Sequence, residues 1–418
     1  MKHLLETLTT PVAGEYDVIV VGAGPAGCGA AISAGRCGAK VLLIEAQNAL
    51  GGMWTAGMVN PLFDAENKKV GIIRELIEDL DRKGVWGGFR GICFNYEYMK
   101  ALLEEKTRAA GVDVLYNTRY VAPVRNAEEG NRITGVITES ISGRRAFLAK
   151  GVIDCSADAL VAADMGVPCD VGDEDGTCQA MTLMFLVANM PEKYRNTDFM
   201  MYEQLNAAYE AEGKKIPFAY PYMINIPASG FAVIQFTHMH GFDPTDAAAI
   251  TQATMEGRRQ MIEAIELLKR HDPEFADLDL VYSAPTLGVR ESRRIRGEYT
   301  LTVEDLLTGK KFEDGITSVD FNIDIHNGKN ETQRTQKVKE YQIPYRSLVP
   351  LGAEGLLVAG RCISGTHEAE ASYRVTADCC EMGEAAGYAM AYAAKHGILP
   401  RNVDVRAARA EFGLKANV

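Results

Sequence analysis

Long hydrophobic runs are missing from this chain of 418 residues. No apolar stretch approaches the ~20 residues that a helix needs to cross a membrane, so no membrane association is expected. The opening MKHLLETLTTPVAGEYD carries one lysine, an acid at Glu6 and only a short apolar stretch, and it lacks the apolar core of a secretion signal. Grouped cysteines are missing as well. The nine cysteines, at 28, 37, 93, 155, 169, 178, 362, 379 and 380, form no CxxC, and their number is odd. That argues against a disulfide framework and against an iron–sulfur cluster, which needs grouped thiolates, and points to free thiols in a cytoplasmic chain. Cys379 and Cys380 are neighbours on an expected helix, so they point in different directions and read as packing residues. Positive charge is scarce: 44 Lys and Arg stand against 56 Asp and Glu, a net charge of -12. That excludes an extended nucleic-acid surface but leaves room for a local basic pocket. Internal repeats and low-complexity linkers are also absent.

What is present is the composition of a folded chain, 47% hydrophobic, with room for two intimately joined domains. Its most informative stretch is Asp17 to Glu45, DVIVVGAGPAGCGAAISAGRCGAKVLLIE. A strand (Val18 to Val21) runs into Gly22-x-Gly24-x-x-Gly27. A helix rich in Ala and Gly follows, and a second strand (Val41 to Ile44) ends on Glu45, 23 residues after the first glycine. Gly22 allows a tight turn, Gly24 lets backbone approach a pyrophosphate, and Gly27 lets helix and strand pack closely. The helix N-terminus offers unpaired N–H groups to phosphate. Glu45 would accept hydrogen bonds from an adenosine ribose. A lone GxGxxG is a weak signal; between two strands, with an acid at this distance, it predicts a bound dinucleotide.

Further along, Val70, Ile73, Leu76, Ile77 and Leu80 form a helical stripe within residues 67–84, ending at Gly84. Asn95 reads as the N-cap of a helix through Ala110, stopped by Gly111. A strand is expected at Val112 to Tyr116. Short alternating runs at Arg132 to Glu139, Arg145 to Leu148 and Gly151 to Asp154, with turns at Gly130-Asn131 and Ser142-Gly143, predict a small antiparallel meander returning to a central sheet. Residues 170–345 read as a second region, with a strand at Phe231 to Thr237 and a helix from Thr245 to Lys269 closed by Asp272-Pro273. From Gly355 the pattern reverts to strand, glycine and helix, the last over Val375 to Lys395. The expected fold is therefore α/β: a Rossmann-like dinucleotide domain built from residues 1–169 and 346–418, with an α+β substrate or cap domain, 170–345, inserted between them.

Three features favour FAD over NAD. The fingerprint lies near the N-terminus. Glu45-Ala46 leads to Gly51-Gly52-Met53, whose small residues leave room for an extended cofactor. The late segment Leu356 to Gly387 is placed to close over the flavin end. A second GxGxxG, which would mark a separate NAD(P)H domain, is missing. On these residues the chain resembles the FAD-dependent oxidoreductase family (the single-fingerprint FAD_oxidored group) of the glutathione-reductase-like, three-layer flavoprotein fold. The resemblance is carried by the fingerprint, GGMWTAGMVNP (51–61), VIDCSADALVAADMGVP (152–168), GVRESRRIRGEYTLTVEDL (288–306) and the stretch 343–387, and it spans nearly the whole chain. It implies that Gly22, Ala23, Gly24, Pro25, Ala26 and Gly27 hold the pyrophosphate. Glu45 and Ala46 would hold the ribose, with Val121 meeting the adenine edge. Gly52, Met53 and Thr55 would line the ribityl chain and flavin, and Gly360-Arg361 would approach from the other side. Where the family carries an Ala-Thr-Gly-Asp-like run, this chain has Cys155-Ser156-Ala157-Asp158, whose backbone contact is expected to survive. Val375 and Thr376 would open a helix whose N-terminus faces the flavin and favours negative charge there.

His367 is the first candidate for a general base, as a proton acceptor near neutral pH, with Arg374 flanking the same helix start. A histidine merely bonded to a loop carbonyl is the alternative. Arg290, Arg293, Arg294 and Arg296 form a basic run; if helical, the first three share a face. Arg290 is favoured as a clamp for a carboxylate or polyol, and the others as members of an ion-pair network with acids such as Glu291 and Glu298. Asp324 would orient His326 on an expected strand. His238 and His240 have metal-like spacing but no third ligand, so no metal is expected. Tyr345 is a further possible donor to substrate, and as readily structural. The expectation is an enzyme passing a hydride between a small organic substrate and flavin N5, in the dehydrogenase or oxidase direction, with oxygen or a redox protein as electron acceptor and a homo-oligomer possible. The alternatives are reduction of a C=C bond, or an FAD electron-transfer subunit of a larger complex.

Overall fold

The computed structural model describes residues 4–65, 69–126, 131–194 and 199–415. Residues 67 and 68 of the first expected helical stretch and Gly130 of the expected turn lie outside them. The strand Val12–Val21 begins exposed, and its last four residues are buried. That unbroken apolar end, VIVV, is what a strand covered on both faces needs. It pairs in parallel with Val41–Ile44 on one side and Arg145–Asp154 on the other. Asp113–Leu115 and Leu356–Val358 extend the parallel order at either end. The same sheet, seven strands in all, carries an antiparallel meander of Arg119–Asn126, Arg132–Glu139 and Arg145–Asp154.

The expected meander differs in two ways. Residues 145–154 form one continuous strand, because its whole length lies along Val12–Val21 while its first half also pairs with the meander. The strand Arg119–Asn126 is additional. It contains Pro123, a residue that reads against a strand but is tolerated at a sheet edge, which is where this strand lies.

The region after residue 170 carries its own five-stranded antiparallel sheet, in the order 199–200, 222–225, 232–235, 185–188, 279–283. Helices Tyr202–Glu210 and Ala247–His271 cover it, and Leu205, Tyr209, Met261 and Leu268 share a buried cluster with Phe185, Met223, Ile234 and Phe236. The long helix starts at Ala247 because Asp246 caps it, its carboxylate accepting from the N–H groups of Ala248 and Ala249. Asn95 likewise caps Tyr96–Ala109 by accepting from Glu97. The arginine run is not a helix: Arg293–Ile295 is a strand paired antiparallel with Cys169–Val171. Its side chains therefore alternate, and the expected shared face does not exist. No helix of the described residues is long and apolar enough to cross a membrane.

Helix Pro25–Arg36 lies directly against helix Thr376–His396. The contact is made by residues with little or no side chain: a Cβ on Gly29 would overlap the Cys380 carbonyl, and one on Gly383 would overlap that of Ala26. Gly383→Val should therefore force the two helices apart and destabilise the fold by on the order of 1–3 kcal/mol, read as a lowered thermal midpoint. An unchanged midpoint would mean that this contact does not set the packing.

Candidate active site

The first strand delivers Gly22 at φ +91, where its N–H donates to the Ile44 carbonyl at 2.8 Å. Gly27 is forced by packing, since a Cβ there would collide with the Gly22 carbonyl. Gly24 is different. Nothing lies within 4 Å of the position its Cβ would take, and it opens onto a cavity of about 480 Å³. The cavity joins Gly24, Pro25, Ala26 and Met53 to Ala157, Gly360, Arg361, Val375 and Thr376, and these to Thr182, Phe218, Arg290, Asp324, His326 and Arg374. Two helix N-termini border it, at Gly24 and Val375, and neither has a side-chain cap. Uncapped N–H groups at a helix start attract negative charge. The bare cradle at Gly24 and these two ends fit the diphosphate and flavin of FAD.

Around the substrate-side wall runs a chain of polar groups. Arg290 Nη1 donates to Thr182 Oγ1 at 2.8 Å and to the Ala180 carbonyl at 2.6 Å. Thr182 Oγ1 lies 3.5 Å from His238 Nδ1, His238 Nε2 lies 2.9 Å from His326 Nδ1, and His326 Nε2 lies 3.3 Å from Asp324 Oδ2. Phe218 stacks on the His238 ring at 3.7 Å. Burial, reinforced by Arg290, drives the pKa of His326 down to about 3, and burial drives His238 well below its ordinary value. Burial works the other way on Asp324, but its bond to His326 and the charges around it hold the carboxyl low. Both imidazoles are thus neutral beside an ionised carboxylate, and that fixes every donor. His326 Nε2–H donates to Asp324, His238 Nε2–H to His326, and the Thr182 hydroxyl to His238. The chain points one way, from Thr182 to Asp324.

Residues 17–412 match the family described as FAD dependent oxidoreductase. The chain belongs to that family. It is an enzyme, and its cofactor is FAD. A stretch of 37 residues is 60% identical to the tRNA uridine 5-carboxymethylaminomethyl modification enzyme MnmG of Heliobacterium modesticaldum, covering 9% of this chain and only 6% of that protein. Among solved structures, the flavin-dependent brominase Bmp2 aligns with a TM-score of 0.54 at 13% identity, over 96% of this chain and 83% of the other. The p-nitrophenol 4-monooxygenase PnpA of Pseudomonas putida aligns with a TM-score of 0.51 at 14% identity, over the same shares of 96% and 83%. At these identities the likeness is one of fold: a mixed α/β flavoprotein with a parallel sheet.

Of the residues expected to hold FAD, this oxidoreductase places Gly24, Pro25, Ala26, Met53, Ala157, Gly360, Arg361, Val375 and Thr376 on the cavity wall. Gly22, Ala23 and Gly27 form the turn behind it. Glu45 accepts from the N–H of Ala23 at 2.7 Å and of Gln47 at 2.9 Å, so it braces the turn; it, Ala46 and Val121 lie off the cavity wall. Gly52 sits behind Gly24, and Thr55 is buried, donating to the Leu50 carbonyl at 2.5 Å. Ser156 is bonded to Asp154. Ala157 has φ +69, a left-handed conformation that costs an alanine about 1–2 kcal/mol. Arg361 is paired with Asp158 and also donates to the Ala157 carbonyl at 3.0 Å, so its charge is already compensated.

On the catalytic side, Arg290, Arg374 and His326 come together, and His367 does not join them. His367 lies off the main cavity, on a separate polar cleft of about 350 Å³ that His326 also borders. Its Nδ1 is 2.8 Å from Glu291 Oε1, which is itself paired with the buried Arg294. Burial lowers the pKa of His367, but the Glu291 bond outweighs that and raises it. His367 thus lies apart from Arg290, Arg374 and His326, half-buried and bonded to Glu291. Arg296 pairs with Asp170. Tyr345 donates to the Pro400 carbonyl at 2.8 Å. His238 and His240 belong to no metal-binding group among the described residues. The candidates that sequence reading missed are Thr182 and the bond from His238 to His326, which only the fold brings together.

Gly24→Val should leave the apoprotein's thermal midpoint unchanged, because nothing lies within 4 Å of the Cβ it adds, yet abolish the visible flavin spectrum of the purified protein. Retained flavin would mean that the cofactor's diphosphate lies elsewhere. The neutral imidazoles also set a pH dependence. Their folded pKa lies below the unfolded 6.5, so the unfolded chain binds more protons, and their contribution is complete above about 6.5 and lost as pH falls, for His326 towards about 3. The His238→Gln/His326→Gln double variant should lose stability less steeply than wild type over that range in urea titrations. Equal slopes would show that the two rings titrate normally.

Proposed function

We propose that this FAD-dependent oxidoreductase oxidises a small organic substrate by hydride removal, from a carbon bearing a hydroxyl or amine or from a C–C bond being desaturated, and passes the electrons to oxygen or a redox protein. In this reading the chain has the glutathione-reductase-like architecture, with residues 1–169 and 346–418 holding the cofactor and 170–345 covering the substrate in a cytoplasmic enzyme. The observation that carries it is the single cavity uniting the Gly24 cradle with the Thr182–His238–His326–Asp324 chain. When bound, FAD supplies the two-electron acceptor for the hydride. The protein's own task is then the proton. As the C–H bond breaks, the substrate's O–H or N–H proton moves to Thr182 Oγ1. The Thr182 proton passes to His238 Nδ1, the His238 Nε2 proton to His326 Nδ1, and the His326 Nε2 proton to Asp324 or to water in the polar cleft. Every hydrogen bond already points in that direction, so no side chain has to turn first. Phe218, stacked on His238, holds that ring in register and keeps bulk water from it.

An anaerobic visible spectrum, recorded before and after adding NADH or NADPH, tests the direction. The flavin band should persist with either nucleotide and bleach with small alcohols, amines or acids that are substrates. Rapid bleaching by NADPH would instead identify a reductase. With a bleaching substrate in hand, His326→Phe should slow bleaching by about 100-fold while leaving flavin content intact. An unchanged rate would remove the relay from the mechanism.

A further inference from the structure

We infer that the substrate is a carboxylate with an apolar body, its charged end gripped by Arg290 and Arg374; this rests on the reading that substrate binds in the flavin cavity. Arg290 is the decisive residue. Its Nη1 is committed to the Ala180 carbonyl and Thr182 Oγ1, both uncharged acceptors. Among the described residues nothing accepts from its Nε or Nη2, and no carboxylate lies within 4.0 Å of it. Its guanidinium lines the cavity, and burial, with Arg374 second, lowers its pKa to about 9, which still leaves it charged at neutral pH.

Arg374 faces the same space. Its Nη2 donates to the Asp324 carbonyl at 2.8 Å, but its buried Nε has no hydrogen-bond acceptor. The carboxylates nearest to it are Glu370 at 3.8 Å and Asp324 at 3.9 Å. Burial, and after it the charge of Glu291, raises the pKa of Glu370, which favours its neutral form. The charge account on this wall is therefore unbalanced. Two guanidiniums face one ionised carboxylate, Asp324. The histidines between them are neutral, Arg361 is cancelled by Asp158, and Arg90, exposed on the same cavity, adds no negative charge.

A buried cation without a counter-ion is costly, and a planar carboxylate answers a guanidinium's two parallel N–H groups. A polyol would satisfy the hydrogen bonds but leave the charge. Much of the remaining wall suits the other end of the molecule: Phe63, Met184, Phe218, Ile224 and Phe321 offer aromatic and aliphatic surface, interrupted by the uncharged polar groups of Tyr220, Tyr222, Gln235, Asn322, Gln333 and Thr335. An aryl or alkyl carboxylate fits both ends of the site.

The test uses the oxidised holoenzyme and unreactive probes, so it does not depend on the direction of hydride transfer. Benzoate and hexanoate are titrated against the visible flavin band, alongside benzamide and hexanamide, which have the same shapes without the charge. The acids should perturb the band saturably and the amides should not. Arg290→Gln should weaken acid binding by about 10- to 100-fold with flavin content unchanged, and Arg290→Lys should recover part of it. Equal binding of acid and amide by wild type would overturn the proposal without recourse to any variant. So would unchanged benzoate binding by Arg290→Gln combined with a lowered flavin midpoint potential, because Arg290 would then serve the reduced cofactor. Bleaching by NADPH would sink the dehydrogenase reading and leave these binding results as expected here.

Discussion

The cavity depends on how closely two helices approach. Pro25–Arg36 and Thr376–His396 come from opposite ends of the chain, and glycine at 29, 383 and 387 lets their backbones meet. That approach brings the N-terminus of each helix to the same cavity. Several helices carry side-chain caps, at Asn95, Asp246, Thr302, Thr366 and Asp404, whereas at Gly24 and Val375, as at Ala159 and Met201, the cap residue supplies none. Bare ends are a liability in an ordinary helix and an asset where an anion binds. The second helix is fixed further by the buried Lys69 ammonium, which bonds Asp378 and Glu381, each at 2.7 Å. Burial pushes both carboxyls upward in pKa and Lys69 pulls them down, so removing the lysine would strand acids in the core and release the helix start that borders the cofactor.

A second constraint is electrostatic. Buried imidazoles between a guanidinium and a carboxylate have two choices, charged or neutral, and here desolvation makes the choice. Neutrality has a structural consequence, because a neutral ring has one donor and one acceptor. An ionised Asp324 at one end then dictates the tautomer of both rings in turn. The direction of the hydrogen-bond chain follows from that neutrality, which also leaves the charge on this wall to Arg290, Arg374 and Asp324. If either ring were protonated, the direction of the chain would be lost and the wall would repel the cationic edge of Arg290 still more strongly.

Much of the cofactor side was legible in the sequence because it is local. The strand, three glycines, helix and second strand fall within 29 residues, and each has a fixed physical role. The resemblance extended that reading to Gly360, Val375 and Thr376, which do meet the cavity. The substrate side was less legible because it is non-local. His238 and His326 are 88 residues apart, and no periodicity connects them. The surroundings of His367 are hidden for a related reason. Its position beside the helix start is visible in the sequence, but its partner Glu291 lies 76 residues earlier. The arginine run misled through an assumed period: alternation in the strand Arg293–Ile295 separates side chains that a helix would have aligned.

The contrast between the two sides bears on what the solved structures of similar fold can say. A brominase and a monooxygenase share this architecture at 13% and 14% identity, so the fold alone does not choose a reaction. The choice must lie where this chain invests buried polar groups, since each one left without a partner is costly. Those on or beside the cavity wall include Thr182, His238, Arg290, Asp324, His326 and Arg374. All but Arg374 come from the region between residues 170 and 345, and Arg374 sits one residue before the cap of the helix that opens on the flavin side. A substrate held by Arg290 and Arg374 together would therefore touch both halves of the molecule. Its charged end would bind where the cofactor-holding helix begins, which places the reacting carbon by the same helix end that favours negative charge on the flavin.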